Sequence, residues 1–439
     1  MKRMGSALWG RFSGSGAFLP LAAVLAGLAA GLTAALYRLA LEWASSFLGG
    51  ALAFAAASPL HTLAWFLCLV LLAALVAKLL KWQPLISGSG IPQVEGEVQG
   101  LFRPQWFKVL AAKFAGGFLC LLGGLSLGRE GPSIQLGAMA GRGVSRLLRR
   151  PAAGGEERLL LSCGAGAGLA AAFHAPAAGV LFCLEEVHRS FSPKLALPLL
   201  AATVSADFLA CQFFGLAPVF SFPVEAQLSL PQYGLAAGLG VLMGVLGAFY
   251  NLVTMKAVRL LQDSRRLPRF LRLLAAFLAA GVLGLVCPAL LGSGHELAEQ
   301  AAAGEFLAET ALLLLAGKFL FSTLSFGSGA PGGIFFPLLV MGALAGFLYG
   351  SAAVNLLGLD PALVNLFILL AMAANFAAIV RAPLTGAVLL FEMSGSLPCL
   401  LPLLAVSLVA YATAALLRSQ PIYDSLLLRL RQSQPGGAR

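Results

Sequence analysis

The sequence predicts an all-α protein that crosses a membrane many times, and its charge content, its hydropathy and an internal repeat predict this class. Of 439 residues, 59% are hydrophobic and 11% are charged, and the mean hydropathy is +0.90. Soluble globular chains carry about 25% charged residues, so this composition excludes a water-soluble fold. A bilayer span needs about 20 apolar residues. The hydrophobic content is therefore enough for about ten or more spanning or half-spanning helices.

The charges predict an orientation in the membrane. The net charge is +11, from 29 Lys and Arg against 18 Asp and Glu. In a soluble chain this excess would suggest nucleic acid, whereas in a membrane protein it indicates cytoplasmic loops. The basic residues form four clusters: Lys2, Arg3 and Arg11; Arg142, Arg146, Arg149, Arg150 and Arg158; Lys256, Arg259, Arg265, Arg266, Arg269 and Arg272; Arg429, Arg431 and Arg439. We expect these loops and both termini to be cytoplasmic, with binding of anionic lipid by the same clusters as an open alternative.

The opposite bias marks the other side of the membrane. Residues 295–309 contain Glu296, Glu299, Glu305 and Glu309 and no Lys or Arg, so this segment is predicted to lie outside. The chain starts with basic residues, as a signal peptide does, but no cleavage site of small residues follows a short apolar run. The first apolar run is therefore predicted to be a retained helix.

The seven cysteines indicate core positions rather than chemistry. They are dispersed, form no C-x-x-C pair and mostly lie in apolar runs. We interpret them as small buried side chains without a disulfide or a metal. No metal and no cofactor is predicted.

The chain repeats itself at a spacing near 200 residues. The pairs are Gly-Ser-Gly at 88–90 and 292–294, Leu-Ser-x-Gly at 125–128 and 324–327, and Ala-Pro-x-x-Gly at 175–179 and 382–386, the last pair leading to Glu185 and Glu392. Three matches in the same order predict two homologous halves, 20–215 and 232–425, within a single transport domain of residues 1–439. Duplicated halves with Gly- and Pro-interrupted apolar segments are typical of inverted-repeat transporters and channels.

The interruptions predict helices that stop inside the membrane. They lie at 88–92, 128–132 and 327–337, and each places proline near a helix start. A broken helix exposes backbone N–H groups that lipid does not satisfy, so it is tolerated only where it lines a cavity. Its N-terminus carries about half a positive charge. The pattern therefore favours a small anion as substrate over the alternative of ordinary loop glycines.

These residues resemble the ClC family of chloride channels and proton-coupled chloride transporters. The similarity covers nearly the whole chain: Gly-Ser-Gly-Ile-Pro at 88–92, Gly-Arg-Glu-Gly-Pro at 128–132, Gly-Ile-Phe-x-Pro at 333–337, and Tyr423 near the end. The chain is similar to the short bacterial members, which lack cytoplasmic nucleotide-binding modules. The resemblance implies a homodimer in the bacterial inner membrane, with one anion pathway in each subunit and no nucleic acid partner.

The resemblance also implies an anion site. Ser89 and Tyr423 would donate hydroxyl groups to a dehydrated chloride, together with the backbone N–H groups of Ile334 and Phe335, and Gly131 would belong to the same site. Neutral donors and helix ends bind chloride without trapping it. Taken alone, Ser89 would be read as a capping residue and Tyr423 as an interfacial aromatic residue.

Two glutamates would carry protons. Glu130 matches the gating glutamate of the family, which occupies an anion site as a carboxylate and swings outward when protonated. Beside it, Arg129 either pairs with a carboxylate or shapes an outer electrostatic funnel. Glu186 matches the intracellular proton-transfer glutamate of the antiporters, which favours exchange of chloride for protons over a passive channel. The neighbouring Glu185 is predicted to be structural.

Several positions leave detail open. His188 either joins an inner proton route or is a plain surface histidine. His174 stands where the common family pattern has Asn, and Gln93 and Gln99 stand near Glu95 where relatives often have acids. An enzyme is not predicted, because the G-x-S-x-G pattern at 124–128 is placed in a membrane helix rather than after a strand. The glycine-rich run at 164–168 is interpreted as close helix packing rather than a nucleotide loop.

Overall fold

The computed structural model describes residues 18–148, 155–220, 222, 224, 226–264 and 267–432. This part of the chain is helical, which confirms the predicted class. The helices are α1 (Phe18–Ala56), α2 (Pro59–Trp82), α3 (Ile91–Val98), α4 (Trp106–Leu122), α5 (Glu130–Leu147), α6 (Glu156–Phe173), α7 (Pro176–Phe182), α8 (Pro193–Phe214), α9 (Tyr233–Gln262), α10 (Arg269–Val286), α11 (His295–Ala302), α12 (Ala308–Gly327), α13 (Phe335–Leu357), α14 (Leu363–Val380), α15 (Pro383–Ser394), α16 (Leu400–Leu416) and α17 (Ile422–Gln432).

Among the described residues, eight helices are long and apolar enough to cross a membrane, namely α1, α2, α8, α9, α10, α12, α13 and α14. Helix α14 is the most enclosed of them, since 89% of its residues are buried inside the protein. Helices α5 and α6 are also buried along most of their length. Other helices are short: α3 and α11 have eight residues each. The core is thus a set of enclosed and broken helices surrounded by longer ones.

The helices of the two halves follow the same order. Helices α1 to α8 correspond to α9 to α16, so that α3 and α11 both follow a Gly-Ser-Gly motif and α7 and α15 both begin with proline. This order agrees with the predicted inverted repeat. The boundaries 20–215 and 232–425 stay a prediction.

Two glutamates join the halves through reciprocal helix caps. The carboxylate of Glu185, after α7, accepts the N–H groups of Leu384 at 3.2 Å and Thr385 at 2.7 Å in the first turn of α15. The carboxylate of Glu392, in α15, accepts the N–H groups of Ala177 and Ala178 of α7 at 3.0 and 2.8 Å. Each carboxylate satisfies first-turn donors that lack an intrahelical acceptor. Glu185 is therefore structural, as predicted.

The glycine-rich run at 164–168 packs against α5, as predicted. A Cβ atom at Gly164 would lie 2.8 Å from the carbonyl carbon of Gly137 and 3.0 Å from the nitrogen of Gly141. Only glycine allows this approach of α5 and α6.

The structure corrects three expectations about loops and cysteines. Several basic residues lie in helices rather than in loops, and Arg142 is buried in α5, where it pairs with Glu97 at 2.5 Å and Glu157 at 3.3 Å. The segment 124–128 connects α4 to α5 and is not inside a membrane helix. Cys68 is exposed, whereas Cys120, Cys163, Cys183 and Cys399 are buried as predicted. Lys2, Arg3, Arg11, Arg149, Arg150, Arg265, Arg266 and Arg439 lie outside the described residues.

Candidate anion and proton site

Four helix N-termini present the predicted anion-binding residues. Ser89 precedes α3, Ile334 caps α13, Phe335 begins it, and Tyr423 is the second residue of α17. Glu130 is the first residue of α5. The first N–H groups of a helix have no intrahelical acceptor, and the helix dipole makes this end positive. The four ends therefore suit an anion.

Backbone contacts between the halves bring three of these segments together. The N–H of Gly88 donates to the carbonyl of Ala330 at 3.2 Å, and the N–H of Gly332 donates to the carbonyl of Gly88 at 3.0 Å. Gly128 and Gly333 exchange both of their backbone hydrogen bonds, at 2.7 and 2.9 Å. The motifs at 88–92, 128–132 and 333–337 thus lie against one another, although more than 200 residues separate the first from the last.

Ser89 and Tyr423 are the two buried hydroxyl groups of this site. The Oγ atom of Ser89 accepts the N–H of Ile91 at 3.2 Å, which leaves its own proton available to an acceptor. Tyr423 is fully buried, and its hydroxyl has no hydrogen-bond partner among the described residues. Because a buried hydroxyl is costly without a partner, the Tyr423 hydroxyl is suited to a ligand.

Gly131 acts through close packing. A Cβ atom at this position would lie 2.8 Å from the carbonyl oxygen of Ser89 and 2.9 Å from its Cβ atom. Glycine therefore lets α5 begin directly against the Ser89 loop. At the start of α3, Gly90 has a φ of +98°, a conformation that side chains disfavour.

Glu130 is fully buried and follows Arg129, which lines a cavity that we call the outer cavity, because the acidic segment 295–309 is predicted to lie outside. Neither carboxylate oxygen has a hydrogen bond of ordinary geometry among the described residues. Its closest charged neighbour of those described is Arg129, whose Nε atom lies 3.9 Å from Oε1, and it interacts electrostatically with the N–H of Phe336. A carboxylate held this way competes directly with an anion for the same donors.

The cavity above Glu130 has a volume of about 730 Å³. Its charged and titratable lining includes Arg38, Glu42, Arg129, His174, His295 and Glu296. Arg129 lines this cavity while also approaching Glu130 and, at 3.9 Å, Glu42. The structure thus combines both interpretations of Arg129, because it neighbours carboxylates and faces the outer cavity.

Glu186 belongs to a buried carboxyl pair. The chain from Cys183 to Val187 forms one π-helical turn, a feature often found at functional sites. On this turn Glu185 reaches α15, while the Glu186 carboxyl faces and interacts with Glu95 of α3. Two carboxyl groups that face each other favour a shared proton.

Tyr423 lies near three buried glutamates. Glu186, Glu95 and Glu130 are close enough for their charges to act on the Tyr423 hydroxyl. Helix α17 is held in place by ion pairs of Asp424 with Arg189 and of Arg429 with Asp263, the latter at 2.7 Å between NH1 and Oδ2. Arg429 lowers the pKa of the exposed Asp263 carboxyl, because it donates hydrogen bonds to the charged form.

The family model described as voltage gated chloride channel matches residues 70–415. This chain belongs to the ClC family. Among its relatives, an H(+)/Cl(-) exchange transporter ClcA of Vibrio cholerae is 38% identical over 362 residues, which cover 81% of this chain and 76% of the relative. A ClcA of Salmonella typhimurium is 34% identical over 427 residues, covering 95% of this chain and 89% of the relative.

The fold of this ClC protein is also that of a solved transporter. The structure of a slow cyanobacterial Cl-/H+ antiporter superposes with a TM-score of 0.90 at 32% identity, covering 95% of this chain and 98% of that one. The predicted family and the predicted fold are therefore confirmed.

Sequence reasoning missed two buried lysines of this ClC protein. The Nζ atom of Lys113 donates to the carbonyls of Ile86 at 3.0 Å and Gly88 at 2.6 Å, and so holds the loop that carries Ser89. In the second half, Lys318 donates to the carbonyls of Leu290, Leu291 and Gly292 at 2.9 to 3.3 Å. The distance along the chain between the two lysines is nearly the distance between the two Gly-Ser-Gly motifs. This match to the repeat is the sequence feature that would have revealed them.

The positions that departed from the family pattern have structural partners. The amide of Gln93 donates to the carbonyl of Ser87 at 2.7 Å, and the side chain of Gln99 accepts a hydrogen bond from Arg431. His188 is half-buried, with Nε2 2.8 Å from the Ser162 hydroxyl, so it is not a plain surface histidine.

Proposed function

We propose that this ClC protein is a secondary active transporter that exchanges chloride for protons. One observation carries the proposal: two buried carboxyl groups, Glu130 and Glu186, lie near the same buried Tyr423 hydroxyl, which has no hydrogen-bond partner among the described residues. A passive anion pathway needs no second buried carboxyl. The names of the relatives from Vibrio cholerae and Salmonella typhimurium support exchange.

Chloride would bind between Ser89 and Tyr423, with the N–H groups of Ile334 and Phe335 as further donors. All four residues are buried, and they come from three helix N-termini. None of these four residues is a lysine or an arginine. Chloride would therefore not be held by a full positive charge and could leave the site again. We propose no cofactor, because hydroxyl groups and backbone N–H groups at helix N-termini would make all the contacts to chloride.

Protons would enter from the inside through Glu186 and leave through Glu130. The Glu186 and Glu95 carboxyl groups would share the proton at the inner end. Protonated Glu130 would release the donors that it occupies as a carboxylate, so that the anion and the Glu130 carboxylate exclude each other at this position. This exclusion would couple the two fluxes.

The test is to record chloride efflux and proton uptake together from liposomes that contain the purified protein. We expect outward chloride flow to drive protons inward against their gradient. We also expect the reversal potential at fixed chloride to shift with pH. A reversal potential that follows chloride alone would show a passive channel of the same fold.

Tyr423→Phe is predicted to weaken chloride binding about tenfold, because the substitution removes one donor and leaves the ring in place. Calorimetric titration with chloride measures the change. Tyr349→Phe is the matched control, since Tyr349 lies about four turns along α13 from Phe335 and its hydroxyl donates to the carbonyl of Leu235 at 2.8 Å. Equal chloride affinity of Tyr423→Phe and the unmodified protein would contradict the assignment.

We propose the bacterial inner membrane as the location, with both termini cytoplasmic. Contacts among the basic clusters support a common face: Arg142 pairs with Glu97, Arg431 with Gln99, and Arg429 with Asp263. These contacts join the ends of α3, α5, α9 and α17. A homodimer with one pathway in each subunit, surrounded by lipid, completes the proposal.

A further inference from the structure

Three potential metal ligands lie together, and one of them, His174, lines the outer cavity. His174 follows the end of α6, and Asp207 and Cys211 lie one turn apart on the same face of α8. The Nδ1 atom of His174 is 3.1 Å from Oδ1 of Asp207 and 3.6 Å from Sγ of Cys211. All three ligand atoms lie within 4.8 Å of one another. None of these side chains takes part in the proposed anion site.

The distances fit a transition metal. Zinc binds histidine nitrogen at about 2.0–2.1 Å, thiolate at about 2.3 Å and carboxylate oxygen at about 2.0–2.2 Å. A tetrahedral centre with these bonds separates nitrogen and sulfur by about 3.6 Å and nitrogen and oxygen by about 3.4 Å. The two separations observed from Nδ1 of His174, 3.1 Å to oxygen and 3.6 Å to sulfur, differ from these by at most a few tenths of an ångström.

The backbone fixes the histidine in this place. His174 has a φ of +52°, and its N–H donates to the carbonyl of Ala170 to end α6. The left-handed residue turns the chain sharply before Pro176, so the ring points at α8.

We propose that His174, Asp207 and Cys211 bind a divalent transition metal such as Zn²⁺, and that the bound metal slows transport. Cys211 loses its thiol proton to become a thiolate, and Asp207 is a carboxylate. With a neutral histidine these ligands balance the charge of the metal. Three protein ligands leave a fourth position for water.

Arg38 links this site to the anion pathway. Its NH1 atom lies 3.4 Å from Nε2 of His174, and its Nε atom donates to Glu42 at 2.8 Å. The arrangement makes Nε2 an acceptor and Nδ1 the protonated nitrogen that donates to Asp207. A metal on Nδ1 moves the ring proton to Nε2, where it faces the guanidinium donors. The Arg38 guanidinium must then move away from His174. Its positive charge, which lines the outer cavity, is thereby displaced.

Binding is tested on the purified full-length protein with Co²⁺ as a spectroscopic probe and Zn²⁺ in calorimetry. We expect a thiolate-to-cobalt charge-transfer band and one Zn²⁺ per chain. Cys211→Ser should abolish the band, and His174→Asn and Asp207→Asn should each weaken Zn²⁺ binding at least about tenfold. Cys68→Ser, which changes an exposed cysteine elsewhere, should leave both signals unchanged. A band that persists in Cys211→Ser, or Zn²⁺ affinity unchanged in all three variants, would overturn the site.

Inhibition is tested separately, because this arm rests on the proposed function. Zn²⁺ added to liposomes should slow chloride efflux of the unmodified protein about tenfold, and should have no effect on Cys211→Ser. Arg38→Ala should still give the cobalt band but lose the inhibition. Metal binding without inhibition would refute the link through Arg38. Failure of chloride and proton exchange in the absence of metal would instead refute the proposed function and leave the cobalt result intact.

Discussion

Glu130→Ala is expected to abolish proton transport while chloride flux continues. The Glu130 carboxyl is fully buried beneath the outer cavity, and it is the only titratable side chain of the described residues placed at the first position of an anion-binding helix. Its removal leaves the donors of α5 and the Phe336 N–H free for an anion. It also removes the group that must be protonated before an anion can take these donors, and with it the site that carries the proton. Chloride efflux and proton uptake, recorded together in liposomes, measure both consequences.

The control for this variant is Glu42→Ala, which removes a half-exposed carboxylate of the same cavity. This substitution should change chloride flux modestly and leave coupling intact. Glu130→Gln should resemble Glu130→Ala in lacking proton transport, because the amide has no titratable proton. Chloride-driven proton uptake in Glu130→Ala would contradict the role assigned to this residue.

Glu186→Gln is expected to remove proton transport with chloride movement retained. The amide preserves the shape of the side chain and its contact with Glu95, and loses only the ability to accept and release a proton. Because Glu186 lies away from the outer cavity, the anion pathway should remain open. Stopped proton uptake together with continuing chloride efflux is the expected result.

The neighbouring Glu185→Gln provides a matched control. Glu185 caps α15 through the N–H groups of Leu384 and Thr385, so its loss should cost about 2 kcal/mol of stability. It should lower the midpoint of thermal unfolding in detergent while proton coupling per chloride stays unchanged. Loss of coupling in Glu185→Gln with normal coupling in Glu186→Gln would reverse the two assignments.

The broken helices could be predicted in detail because their signals are local. Glycine and proline interrupt apolar runs at 88–92 and 128–132, and helices α3 and α5 begin within these motifs. The repeated Ala-Pro motifs at 175–179 and 382–386 lie at the starts of equivalent helices, α7 and α15. Composition alone established the membrane class, because a charged fraction of 11% does not suit a water-soluble surface.

Residues whose role depends on distant partners could not be predicted. Lys113 looks like a lysine interrupting a membrane helix until its two carbonyl partners, about 25 residues earlier, are seen. Glu95 matters because α3 packs against the turn that carries Glu186. Arg142 was assigned to a loop because local sequence does not reveal the buried carboxylates that pair with it.

The sequence by itself determined the class of the protein, the places where helices break and the family, since these depend on hydropathy and short motifs. The tertiary structure alone decided which side chains share a site. It brought Tyr423 close to both Glu130 and Glu186, and it placed His174 beside Cys211. The physical reason is that burial in a low-dielectric interior makes each polar group depend on its partners, and those partners come from helices far apart in the chain.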